Sequence, residues 1–282
     1  MLLGYNTWSM PQMPIDQTVD LLARTGYDSL ELTICTGWTT DAALMTAVDR
    51  RRIRSLIKDS GLVLTGCSGN TPVLASADEW REGRNQLLTY LDFAADIQGD
   101  DARRLYVSTT SGPMPAGQNW EGCRALLAER MSDVAAAAEA RGVSLHLEPH
   151  VLMAANRPEQ ALWLLHEVAS PALRLTLDIS HFEVQGDDYR AVVKELVPFA
   201  GGVEVKDETG INPDFQFLIP GEGDMDYPGF LACLDASGYK GSVSVEISKF
   251  RQVAGYDAAD AAIQSYKVLA SAFEQAGVSR GR

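Results

Sequence analysis

Leu145-His146-Leu147-Glu148-Pro149-His150 alternates apolar and polar residues between Gly142-Val143 and a proline. Alternation with period two is the pattern of a β-strand that packs one face on apolar groups and turns the other to something polar. The polar face carries His146 and Glu148, with His150 just past the strand end. Two other stretches, Leu175-Thr176-Leu177-Asp178 and Val243-Ser244-Val245-Glu246, also close on a carboxylate. In Val203-Glu204-Val205-Lys206-Asp207 the same alternation puts Glu204 and Lys206 on one face and Asp207 on the other. Carboxylates at the ends of buried strands are unfavourable unless a cation neutralises them, and one divalent metal does so most simply. These residues therefore point to a metal enzyme.

Outward from that stretch, strand-like and helix-like segments alternate along the chain. Strands are expected at 2–6, 29–32, 62–67, 105–108, 145–148, 173–178, 203–206 and 242–247. Helical patterns follow them, from Pro14-Ile15-Asp16 to Gly26, then over 49–60 with Gly61 behind, 77–97 and 119–141. The later helices start behind Arg157-Pro158, where proline suits a first turn, and cover 188–196, 227–236 and 257–275. Eight strand-then-helix units with short returns fit a closed parallel barrel, with a doubly wound open sheet as the competing arrangement. The barrel is preferred because polar residues recur at the carboxyl ends of the last four strands, which a closed barrel gathers at one mouth and an open sheet spreads along a line.

Composition narrows the function. The chain has 282 residues, 46% of them hydrophobic, enough for one large core. A net charge of −14 argues against a nucleic-acid partner, since phosphate binding needs a cationic surface. The four cysteines, Cys35, Cys67, Cys123 and Cys233, lie far apart without a CxxC pair and read as reduced. With no basic leader and no long apolar run, the expectation is a cytoplasmic protein that meets neither membrane nor nucleic acid.

Leu147-Glu148-Pro149, Asp178-Ile179-Ser180-His181, Val205-Lys206-Asp207, Pro220-Gly221-Glu222-Gly223-Asp224 and Val245-Glu246 together resemble the sugar phosphate isomerase/epimerase family of xylose isomerase-like barrels. The resemblance spans the chain and is densest over 143–247. It implies a (β/α)8 TIM barrel filling residues 1–282 as a single domain, with one catalytic divalent metal at its mouth. Position by position, the implied ligands are Glu148, Asp178, Glu204 and Glu246, and His181 matches a substrate-contacting histidine. Many members of the family have histidine where this chain has Glu204, and often another where it has Gly202. An all-carboxylate set favours a hard ion, Mn²⁺ first, with Mg²⁺, Co²⁺ or Zn²⁺ as alternatives. The implied activity is isomerisation or epimerisation of a small sugar, ketose or polyol-derived ketone by enediolate proton transfer, with Glu148 and Glu246 as the acid–base pair. The alternatives are a metal-dependent lyase or hydratase on 3-keto sugars or glycosides, similar to a C-glycoside deglycosidase subunit, and a non-catalytic sugar-binding barrel. A homo-oligomer or a small partner subunit is the implied assembly.

Other residues carry two readings. His146 either orients Glu148 and serves the substrate or is a core histidine, and His150 is a further substrate contact. Lys206 balances charge, binds a substrate oxygen or forms a Schiff base. Trp8, Trp38 and Phe250 form an apolar wall or simply pack; Lys249, Arg251 and Arg157 are candidate anion contacts; His166 is structural.

Overall fold

The computed structural model describes residues 1–99, 103–248 and 255–281. Lys249, Phe250 and Arg251 lie outside the described residues. Eight parallel strands close a barrel: β1 (Leu2–Asn6), β2 (Ser29–Thr33), β3 (Val63–Ser68), β4 (Tyr106–Thr110), β5 (Ser144–Glu148), β6 (Leu173–Asp178), β7 (Ala200–Val205) and β10 (Ser242–Val245). Each strand pairs with its neighbours in sequence, and β10 closes the ring by pairing Leu2 with Ser242 and Tyr5 with Val245. A two-stranded antiparallel hairpin, β8 (Asp207–Ile211) and β9 (Asp214–Leu218), follows β7 directly.

Nine helices occur among the described residues: α1 (Ile15–Thr25), α2 (Ala47–Asp59), α3 (Ala77–Gln98), α4 (Trp120–Ala140), α5 (Pro158–Val168), the single turn α6 (Ser180–Glu183), α7 (Tyr189–Leu196), α8 (Tyr227–Ala236) and α9 (Ala258–Gln275). Their ends follow local chemistry: Thr46 and Ser76 close capping boxes with Asp49 and Glu79, and Gly61 takes a positive φ of 79° behind α2. None of the described helices is long and apolar enough to cross a membrane.

Alternation along the strands sorts the side chains. Leu3, Leu30, Cys67, Val107, Leu145, Leu175, Val203 and Val243 are fully or almost fully buried and join the helices in one apolar cluster. The intervening residues point into the barrel, where the filling is largely polar. Its lowest layer holds Ser29 and Ser242, whose hydroxyls are 2.7 Å apart. The middle layer holds Glu31, Tyr106, His146 and Thr176. Tyr106 fits because β3 and β7 carry glycine beside it; a Cβ at Gly66 would lie 2.4 Å from its ring and one at Gly202 2.9 Å from its hydroxyl. The top layer carries the acidic groups.

The expected strand positions hold to within a few residues, with two differences. β7 begins at Ala200, and Lys206 falls between it and β8. The stretch 207–218, for which hydrophobic patterning predicts no element, is the hairpin.

Candidate functional site

Glu148 ends β5, Asp178 ends β6, Glu204 lies near the end of β7, and Glu246 stands one residue beyond β10. Each offers a carboxylate oxygen, all within 4.8 Å of one another, and a ring nitrogen of His181 lies equally close to oxygens of Glu148 and Asp178. Every partner has a reason to be there. Asn6, at the end of β1, donates from Nδ2 to Glu204 Oε1 at 2.6 Å. Asp178 Oδ1 accepts from the Ser180 backbone at 3.0 Å and from its hydroxyl at 2.6 Å. His181 Nε2, on the turn that begins behind Asp178, is 3.1 Å from Glu148 Oε1 and 3.7 Å from Asp178 Oδ2. The Lys206 ammonium is fully buried, donating to Asp178 Oδ2 and, at 2.6 Å, to Glu246 Oε2. Phe217 of β9 covers it, with Nζ 5.1 Å from the ring centre, and meets His181 edge-on at 5.0 Å.

The charges are out of balance. Burial pushes Glu246 up to about 7, partly offset by Lys206. Burial also raises Glu148, against the pull of Lys206, and raises Glu204 strongly, helped by the negative charges of Glu31 and Glu246. Only Asp178 is held low: burial alone would raise it, but the Lys206 charge, together with hydrogen bonds from Lys206 and Ser180, outweighs that. One ammonium cannot neutralise four carboxylates, and burial makes three of them harder to ionise. A dication supplies the missing charge, and an all-oxygen donor set suits a hard ion. A niche of about 20 Å³ lined by Glu148, Glu204 and Glu246 has room for one water-sized species. The residues present therefore fit a divalent metal.

The other sequence candidates separate. His146 lies below the carboxylates, stacked on Tyr106 at 4.0 Å with Nδ1 3.3 Å from the Thr176 hydroxyl. It is 2% exposed, and burial lowers it to about 3, so it is a neutral ring of the barrel filling rather than a residue of the mouth. His150 packs its ring 3.8 Å from that of His181, and its Nδ1 accepts from the Leu152 backbone. Both rings are driven down to about 3, chiefly by burial, and are neutral. Trp8 lines the niche and stacks on Trp38 at 4.6 Å. Arg157 is paired with Asp187 and stands away from the carboxylates.

Three further participants, Asn6, Ser68 and Glu31, carry no motif in the sequence. Ser68 accepts from Asn6 at 2.7 Å and donates to Glu31 at 2.8 Å, while Tyr106 donates to the other oxygen of Glu31 at 2.6 Å. Glu204 is thus joined through Asn6 and Ser68 to a second buried carboxyl. Glu31 is visible in the sequence as an acid inside a strand flanked by Ser29 and Thr33, all on one face; that is the available signal.

Above the niche a cavity of about 400 Å³ opens past Trp8, Asn70 and Thr110. A larger cavity, about 1040 Å³, lies to the side between the loops behind β3 and β4 and touches none of the four carboxylates. Chemistry, not size, assigns the site to the small one.

A parallel barrel with acids converging at the carboxyl ends of its strands defines a class of protein. The chain belongs to the xylose isomerase-like TIM barrel family, whose model matches residues 19–272. A Xenopus laevis protein provisionally named a hydroxypyruvate isomerase is 24% identical, over 80% of this chain and 86% of its own. The 2-oxo-tetronate isomerase of Cupriavidus necator is also 24% identical, over 61% of this chain and 69% of its own. The solved structure of IolI with a bound zinc atom superposes with a TM-score of 0.77 over 98% of both chains at 18% identity.

Proposed function

We propose that the protein is a divalent-metal-dependent isomerase or epimerase of a small hydroxy-ketone, sugar or 2-keto acid. The observation that carries this is the convergence of Glu148 and Glu246 with Asp178 and Glu204 at one mouth. Relatives named as isomerases of small 2-oxo acids support the reaction type.

A metal held by these carboxylates, Mn²⁺ in preference, would polarise a hydroxyl and the carbonyl next to it and so acidify the carbon between them. Glu246, just past the end of a strand across the mouth from Glu148, is suited to take that proton and return it. Glu148 is the complementary acid, its Oε1 oriented by the neutral His181. A proton taken from one carbon and returned to the next isomerises; returned to the other face of the same carbon, it epimerises. Trp8 closes one wall of the niche.

Turnover in deuterated water is expected to place deuterium on the carbon beside the carbonyl, and chelator to stop it. Glu148→Gln and Glu246→Gln should each lose about 10² to 10⁴ in rate, the usual size of an acid–base contribution. Borohydride trapping at Lys206 with activity surviving chelator would overturn this reading. Loss of an aglycone from a 3-keto glycoside would replace it with a lyase.

A further inference from the structure

Lys206 stands where a second cation is least welcome. Its ammonium takes Asp178 Oδ2 and Glu246 Oε2, and Ser180 takes Asp178 Oδ1 twice, so both oxygens of Asp178 are engaged. The niche beside them is lined by Glu148, Glu204 and Glu246 but not by Asp178. We infer that Lys206 is a built-in competitor for the metal: it engages Asp178 and Glu246, two of the four carboxylates that would hold the ion, holds the cage together without metal, and keeps metal affinity low.

The inference rests on the metal reading above. Two physical points carry it. A buried carboxylate left without a cation is strongly destabilising, and here the chain supplies one that no chelator removes. A dication brought among the same carboxylates must either displace the ammonium or accept its repulsion, and either way binding is weakened in a site of low dielectric. Phe217 lies over Lys206, so the ammonium has no direct route to solvent on that side. The arrangement lets the metal come and go without unfolding the barrel.

The test is Lys206→Met, similar in length but uncharged, with Lys206→Arg as the charge-preserving control. Mn²⁺ affinity by calorimetry and melting temperature with and without chelator are the readouts. The parent should melt at nearly the same temperature in chelator as in Mn²⁺. Lys206→Met should bind Mn²⁺ at least about tenfold more tightly, melt several degrees lower in chelator, and regain that loss when the ion is added. Lys206→Arg should follow the parent.

Unchanged or weaker Mn²⁺ binding by Lys206→Met, or no binding by either protein, would overturn the inference. If Lys206→Met does not accumulate, recovery on refolding only with Mn²⁺ supports it, and equal failure with and without the ion overturns it. These readouts do not depend on turnover. A chain that binds Mn²⁺ as described but converts no hydroxy-ketone would refute the isomerase reading and leave the competition standing.

Discussion

Asn6 does more with one carboxamide than any other neutral side chain at the mouth. Nδ2 donates to Glu204 and to Ser68, while Oδ1 accepts from the Trp8 backbone and the Thr33 hydroxyl at 3.1 Å. Asn6→Leu removes all four bonds and leaves Glu204 without a donor in a buried position. A destabilisation of roughly 2–4 kcal/mol is expected, as each buried group stranded this way costs about 1–3 kcal/mol. Urea titration in chelator measures it; a variant as stable as the parent would mean that the network carries no stability. Strand-end carboxylates are legible in the sequence because period-two alternation marks the face they share and the motifs mark their order. The roles of Asn6 and Glu31 are not, because a single amide or acid in a strand carries no sign of its partner across the barrel. Gly202 also makes sense only in three dimensions: the Tyr106 hydroxyl lies where a side chain at this position would start, so a histidine there has no room.

At the scale of elements, the hairpin β8–β9 is the chief departure from a plain barrel. Phe217 and its neighbour Phe215 form a small cluster with Val151 and Val184, separate from the main core. The stretch Asp207-Glu208-Thr209-Gly210-Ile211-Asn212-Pro213-Asp214-Phe215-Gln216-Phe217-Leu218 holds a turn signal, Asn-Pro, before alternating aromatics. Its first arm is polar and half exposed, which is why hydrophobic patterning alone passes over it. The single turn α6 is equally hidden, being too short to show a period. The eight barrel strands are legible for the opposite reason: most of their apolar residues face the helices and leave regular alternation. Phe217→Ala should lower stability by about 2 kcal/mol, below the usual range of roughly 3–5 for a core phenylalanine because its cluster is small. It should also slow turnover by admitting water to Lys206 and His181. Thermal melts and steady-state rates read the two effects; unchanged kcat with lowered stability would make the hairpin a structural cover only.

For the whole molecule, the consequence of a polar barrel filling is a stability that depends on pH from both sides. Glu31 is completely buried, and burial raises it to about 7 against the hydrogen bonds from Tyr106 and Ser68. Its neutral form is the one the fold prefers. Between pH 4.5 and about 7 the folded state therefore holds a proton that the unfolded chain has released, and stability falls as pH rises through that window. The full penalty is on the order of 3 kcal/mol, since moving a titration by a single pH step of one corresponds to about 1.4 kcal/mol. His146 works the other way. Burial lowers it from 6.5 to about 3, so the unfolded chain takes up a proton first, and stability falls as pH drops through that range. Over 4.5–6.5 the two slopes oppose each other, and the buried acids and histidines of the mouth add slopes of both signs, so the parent alone resolves neither. Single variants separate them. Relative to Glu31→Gln, whose amide can still accept from Ser68 and donate to Tyr106, the parent should lose stability steadily from pH 4.5 to about 7 and then level off. Relative to His146→Gln, it should lose stability from pH 6.5 downwards. Urea titrations in chelator across this range are the measurement. Curves that run parallel to the parent would show that neither group changes its protonation on folding, and slopes of the same sign would show that one of the two is buried in the opposite charge state.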